Sequence, residues 1–297
     1  MTNRLFYEPS QDEVAHTSSS SIFVTDPAAR VRVEADTDEF FPSSSDLVAA
    51  CEKWGGDEEP HHTAWNMTNR TDLPFFEYLS QPEFQERADR FARAMQGFQS
   101  TSAYDLSYTI NGYNWSKAKG TIVDIGGSAG ETAIALARKY PDLPHIIVQD
   151  LPHIVSGGEA SIPTDLEKRI FFSAHDFFTP QPESVLSAGL FLMRFILHDH
   201  PDKYARRIVR NILPALKSGA TLVVVDGIIP PAGSIPATLE KEMRNMDLDV
   251  MSITGGKERQ IEDWEDLFRS VDPKLIVKNV NQPAGSALGV MEVVWDG

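Results

Sequence analysis

The sequence has one cysteine, Cys51. That excludes an intrachain disulfide framework and any multi-cysteine metal site. Cations are scarce as well. Against 43 Asp and Glu stand 27 Lys and Arg, a formal charge of −16 with a pI near 4.9. A basic footprint on phosphate is hard to assemble from that balance, so no nucleic-acid partner is expected. No apolar run is long enough to span a bilayer, and Met1 to Asp12 lacks the basic-then-apolar pattern of a leader. The expectation is a soluble, cytoplasmic protein with no membrane partner. No internal repeat is visible. What is present, 41% hydrophobic and 24% charged residues over 297 positions, suits one large globular domain or two modest ones.

The two ends differ in texture. Residues 1–60 carry serine clusters at Ser18–Ser21 and Ser43–Ser45, an acidic stretch from Glu34 to Glu39, and a polar turn from Gly55 to Pro60. Short helices joined by loops fit this better than a sheet. Next, Phe84, Ala88, Phe91, Ala92, Met95 and Phe98 recur at helical spacing, and Ser80 with Glu83 reads as a capping-box start. The stripe is read first as core and second as the floor of a substrate pocket. From Lys119 onward strands and helices alternate: strands over 121–125, 145–149, 170–174, 190–197 and 221–225, helices over 131–140, 201–216 and 238–251. A hairpin follows over 275–280 and 288–295. That alternation predicts an α/β fold, a mostly parallel sheet closed by an antiparallel hairpin. We place the division at 1–115, a helical region, and 116–297, the sheet domain.

Ligands of open parallel sheets bind outside the carboxyl ends of the strands, and every such end here carries a reactive or permissive group. The first strand runs into Gly126-Gly127-Ser128-Ala129-Gly130, the second ends in Asp150, the third precedes Asp176, the fourth His198, and the fifth Asp226. The glycine loop permits close backbone approach at a helix N-terminus, where free N–H groups favour an anion. It is no P-loop, since Gly-Lys-Ser/Thr is missing, and the dinucleotide spacing fails at Ser128. Asp150 lies where an acid can hold a ribose diol. Asp176 either accepts from an exocyclic amine, with Phe177 against a planar base, or caps the turn that follows. His198 has the intrinsic pKa of a general base, near ~6.5. Either Asp226 or Glu258 can supply the carboxylate that fixes its tautomer. His198-Asp199-His200-Pro201-Asp202 also spells a metal-hydrolase pattern, but no histidine follows His200, and no metal site is expected. His61 and His62 read as surface residues, and Met243, Met246 and Val250 as one face of a helix, core before pocket wall.

Taken together, Val123-Asp-Ile-Gly-Gly-Ser-Ala-Gly130, Gln149-Asp-Leu-Pro-His153, His175-Asp-Phe-Phe178, Phe195-Ile-Leu-His-Asp199 and Gly255-Gly-Lys-Glu-Arg259 resemble the motifs of class II small-molecule O-methyltransferases, most of all fungal members from secondary metabolism. The likeness runs from about Phe6 to the C-terminus. It implies a Rossmann-like methyltransferase domain preceded by a helical region with a winged-helix remnant, S-adenosylmethionine as cofactor, and a small hydroxylated acceptor. By the same resemblance Gly126, Gly127 and Asp150 hold the cofactor's amino acid and ribose, Asp176 and Phe177 its adenine, and Arg194 belongs to its site. His198 becomes the catalytic base, flanked by Asp226 and Glu258. Family members usually carry Trp where this chain has His200. They also have a helical dimerisation segment ahead of the winged helix, whereas the match here begins inside that module, so a homodimer, if formed, is expected to be altered. A non-methylating relative such as a pericyclase that retains the cofactor, and a non-catalytic partner subunit, are the alternative readings.

Overall fold

A computed structural model describes residues 4–99 and 101–297. In the stretch expected to hold a winged-helix remnant, strands β1 (Phe6–Tyr7) and β2 (Ala15–His16) pair antiparallel. Helices α1 (Ser18–Thr25), α2 (Pro27–Ala35) and α3 (Phe41–Trp54) follow, then α4 (Ala64–Asn69), α5 (Phe75–Leu79) and α6 (Gln85–Gln99). Between α2 and α3 the backbone widens into a π-turn over Asp36–Phe40, and Glu39 in that turn is buried. Its carboxylate accepts from Trp65 Nε1 at 2.8 Å and from Arg87 Nε and Nη2 at 2.5 and 2.6 Å. The burial is tolerable because a two-pronged guanidinium and an indole N–H satisfy the charge. One acid thereby ties the π-turn to α4 and α6.

Helix α6 begins later than its Ser80 signal. Pro82 holds the preceding Gln81 in extended geometry (φ −70°, ψ 138°), so a helical run can start only after it. A 3-10 turn over Pro82–Phe84 intervenes, while Ser80 ends α5 and donates to Glu77 O at 2.7 Å. His61 and His62 are half-buried rather than on the surface: His62 stacks on Trp54 and its Nδ1 lies 2.7 Å from Asp57 Oδ2.

After α7 (Leu106–Gly112) come β3 (Ile122–Ile125), α8 (Glu131–Lys139), β4 (Ile146–Asp150), α9 (Pro152–Gly158), β5 (Ile170–Ala174) and β6 (Leu190–Arg194). The chain continues through α10 (Asp202–Lys217), β7 (Thr221–Gly227), α11 (Ala237–Ile253), α12 (Ile261–Val271), β8 (Leu275–Asn281) and β9 (Leu288–Trp295). The sheet order is β5-β4-β3-β6-β7-β9-β8; pairs up to β6–β7 are parallel, and β9 runs antiparallel to both β7 and β8. This is the expected α/β architecture. Strand β3 is buried throughout, and β6 and β7 nearly so, as a parallel sheet covered on both faces requires. Ile110, Tyr113 and Trp115 belong to one of its two core clusters. Winding runs outward from β3 to β5 and then returns to β6, so the crevice at the switch point opens beside the ends of β3 and β6. Among the described residues no helix is long and apolar enough to cross a membrane.

Candidate active site

The apolar run from Leu190 predicts a strand to Leu197, but β6 stops at Arg194. Phe195 takes φ +56°, in the left-handed region that a bulky side chain rarely enters, and a 3-10 turn over Leu197–Asp199 follows. The Phe195 N–H still donates to Val225 O at 3.1 Å, and Leu197 N donates to Asp226 Oδ2 at 3.2 Å. The turn presents a buried His198 whose Nδ1 lies 2.8 Å from Glu258 Oε1. Of the two carboxylates the sequence offered, Glu258 therefore takes the imidazole, and Asp226 takes the backbone that carries it. In the neutral imidazole, Nδ1–H donates to Glu258 and Nε2, 3.7 Å from Asp199 Oδ1, is the nitrogen left to accept a proton. Burial alone would lower the His198 pKa; Asp199, Glu258 and Asp226 outweigh it and lift it to about 10. Burial pushes Asp226 up to about 7, a rise that His198 only partly offsets.

The loop bearing Glu258 is bolted to this turn by a residue the sequence reading quoted but gave no role. Arg259 is fully buried. Its Nε and Nη2 reach Asp202 Oδ1 at 3.0 and 2.9 Å, Nη1 donates to Leu197 O at 2.9 Å, and Nη2 to His200 O at 2.8 Å. Lys257 N donates to His198 O at 2.9 Å. Side chains have no room at the two nearby glycines: a Cβ at Gly256 would strike His198 O, and one at Gly227 would strike Glu258 Oε2. The metal-hydrolase pattern comes apart in space. His198 turns to Glu258, Asp202 to Arg259 and Lys257, and His200 packs edge-on against Phe177 and Phe178. Burial, then the charges of His198 and Arg259, drop the His200 pKa to about 3, so it serves as a neutral ring.

At the end of β3 the glycine loop is shaped differently from expectation. The N–H groups of Gly126 and Gly127 are not free for an anion; both donate to Gln149 O, at 2.7 and 3.3 Å. Asp150 braces the same loop, accepting from Ser128 N at 2.9 Å and Leu151 N at 2.7 Å. A cavity of about 190 Å³ lies against Gly126, Gly127, Asp124, Glu131 and Arg194. Asp124, which the sequence reading left inside the strand, is the informative acid. It is buried, its Oδ2 has no hydrogen-bond partner among the described residues, and a Cβ at Gly127 would come within 2.7 Å of it. Burial lifts its pKa to about 7, with Arg194 partly offsetting and Asp150 adding. Asp150, Asp176 and Phe177 do not line this cavity. Asp176 is exposed and accepts from Phe178 N at 2.8 Å, the turn-capping alternative. Phe177 lies beside the loop, 3.9 Å from where a Gly126 Cβ would stand.

The Asp124 carboxyl sets a pH test. Its folded pKa is raised, so the unfolded chain releases the proton first as pH climbs, and ionisation weighs on the fold between about pH 3.8 and about pH 7. Asp124→Asn is expected to melt at the same temperature as the parent below that window. Above it the variant should be more stable, by on the order of 4 kcal/mol, as calorimetry across the range would read.

A second cavity, of about 200 Å³, takes Phe195, His198 and Asp199 as one wall and Phe40, Phe75, Phe91, Phe98, Met246 and Val250 among the others. Phe91 and Met95 of α6 line both cavities. Phe91, Met95 and Phe98 of the α6 stripe, with Met246 and Val250 of α11, therefore wall a pocket, while Ala88 and Phe91 also pack against a core cluster, so the stripe serves both roles. Apolar spacing is the same for both roles, and only the neighbouring void separates them.

Comparison with known proteins shows the family and the fold. A family model described as the O-methyltransferase domain matches residues 53–271. The O-methyltransferase pgmB of Aspergillus terreus is 38% identical over 99% of this chain and 83% of its own length. The O-methyltransferase VdtC of Byssochlamys spectabilis is 37% identical over 99% of this chain and 68% of its own. Among solved structures, LepI in complex with SAM covers the whole chain and 74% of its own, at 25% identity and a TM-score of 0.77. OxaC in complex with sinefungin and meleagrin shares the fold at 23% identity, with a TM-score of 0.81 over 98% of this chain and 72% of its own.

Proposed function

This chain belongs to the O-methyltransferase family and uses S-adenosylmethionine as cofactor, and from that premise we propose that it methylates a phenolic or polyketide-like hydroxyl of a small secondary metabolite, with His198 as general base. The residues around the glycine loop fit the cofactor. Asp124 Oδ2 offers a buried acceptor for an ammonium, Arg194 a cation for a carboxylate, and Gly126 and Gly127 the clearance between them. Asp150 would hold the ribose and Phe177 the adenine, with Asp176 reaching the adenine through Oδ2, since its Oδ1 caps the turn. When bound, the cofactor supplies an electrophilic methyl group on a sulfonium.

The chain's own work is acid–base chemistry and alignment. A phenol has a pKa near ~10 and is a weak nucleophile until deprotonated. His198 Nε2 would accept that proton, while Glu258 fixes the Nδ1–H tautomer and stabilises the imidazolium. Asp226 would hold the turn through Leu197 N. The phenylalanines of the cavity exclude water and hold the ring plane, which matters most in a displacement governed by alignment. The observation that carries the reading is that two cavities share Phe91 and Met95, with the glycine loop in one and His198 in the other. Incubation with isotope-labelled S-adenosylmethionine and a panel of hydroxylated aromatics and polyketides, followed by mass spectrometry, tests it. A product heavier by one labelled CH₂ is expected. A converted substrate of unchanged mass would overturn methyl transfer in favour of isomerisation.

A further inference from the structure

The acceptor cavity contains a second polar cluster, separate from the catalytic turn. Arg32 from α2, Asp36 from the π-turn and Asp249 from α11 all line it, among walls that are otherwise largely aromatic and aliphatic. The guanidinium of Arg32 sits over the Phe98 ring, 4.8 Å from its centre, with Nε 3.8 Å from Asp36 Oδ2; both side chains keep about half their surface in water until a ligand covers them. Asp36 stands in the turn that Glu39 locks to Arg87, so its position is fixed from behind by a buried ion pair. Widened turns of this kind recur at functional sites. Thr254, also in the wall, spends its hydroxyl on Val250 O at 2.9 Å. That the cavity receives a ligand is indicated independently by His198, an imidazole only 7% exposed that faces it with Nε2 beyond hydrogen-bond reach of Asp199.

We propose that Arg32, Asp36 and Asp249 are specificity-determining residues that select acceptors bearing a second hydroxyl group, remote from the one that is methylated. The inference rests on the reading of this cavity as the acceptor site. A hydroxyl, small enough to sit at the end of an aromatic ring, can donate to a carboxylate and accept from a guanidinium at once. A hydrocarbon end would strip water from two carboxylates and give them no donor, a cost that a site built for a hydroxyl charges to the analogue lacking it. A carboxylate end would meet two like charges with one cation between them. The charges that shift Asp249 are Asp36 and Arg32, and neither is among those that shift His198.

The test uses the full chain saturated with S-adenosylhomocysteine and titration calorimetry with 2,7-dihydroxynaphthalene and 2-naphthol. The parent protein should bind the diol about tenfold or more tightly than the mono-ol. Asp36→Leu and Asp249→Leu should each bring that ratio toward one, and Asp249→Asn, which keeps shape and one acceptor, should retain part of it. His198→Ala should keep the ratio while losing methyl transfer, so failure of the base assignment and failure of this inference show up in different measurements. Equal binding of the two probes by the parent, or an unchanged ratio in both leucine variants that still melt cooperatively, overturns the proposal. So does 6-hydroxy-2-naphthoate binding as tightly as the diol.

Discussion

Replacing His198 with alanine is expected to lower kcat by about 10²–10⁴-fold, the range that a positioned acid–base group contributes, while the dissociation constant for S-adenosylmethionine stays within about twofold. The asymmetry follows from the layout, since His198 lines the acceptor cavity and does not line the one at the glycine loop. Stopped-time assays and cofactor titration read the two halves separately, and undiminished turnover would remove His198 as the base. The pH profile carries a sign of its own. Three carboxylates hold the proton on the imidazole of the ligand-free protein up to about pH 10, and a base must lose its proton before it can take another. Acceptor kcat/KM should therefore rise with pH. Glu258→Gln removes one of those carboxylates and should move the rising limb to lower pH, even as it lowers the plateau.

The largest loss of stability is expected at Arg259. Arg259→Met leaves Asp202 short of its principal partner, removes the donor from the His200 carbonyl and leaves the Leu197 carbonyl with only the His200 N–H, all around a side chain that is itself fully buried. Breaking a buried pair from one side costs about 3–5 kcal/mol, to be measured by urea titration. Lysine should not rescue it, because a single ammonium cannot span Asp202 and two carbonyls as the planar fork does. Turnover should fall together with stability, since the same contacts hold the His198 turn against the Glu258 loop. A variant with the parent's urea midpoint would show that the fork is dispensable.

Much of the fold is legible in the sequence because its strands are short apolar runs punctuated by turns, and its helices keep a 3.6-residue period. The rim of strand-end residues is legible for the same reason, as connectivity alone sends Gly126, Asp150, His198 and Asp226 to one edge. What escapes is anything decided by a single dihedral or by a void. The run from Leu190 to Leu197 is uniformly apolar, yet Phe195 leaves the strand at positive φ, and no periodicity records that. Pro82 overrides the Ser80 signal through its effect on Gln81. The N–H groups of Gly126 and Gly127 are claimed by a carbonyl of the neighbouring strand, a tertiary event. Nothing in the spacing of Gly255-Gly-Lys-Glu-Arg259 marks Arg259 as buried, and Asp36 and Asp249, far apart in the chain, give no sign of facing one cavity. Asp124 was the recoverable omission, because an acid in the middle of a buried strand must answer to something.

Phe91 and Met95 form a party wall between the cavity at the glycine loop and the cavity at His198, the donor and acceptor chambers of the proposed reaction. Whichever molecule enters first sets the rotamers that the other encounters, so the two affinities are thermodynamically linked. By reciprocity, the factor by which a loaded donor chamber strengthens or weakens acceptor binding must equal the factor in the opposite direction. On the proposed assignment, any coupling between cofactor and acceptor binding would pass through two side chains of a single helix.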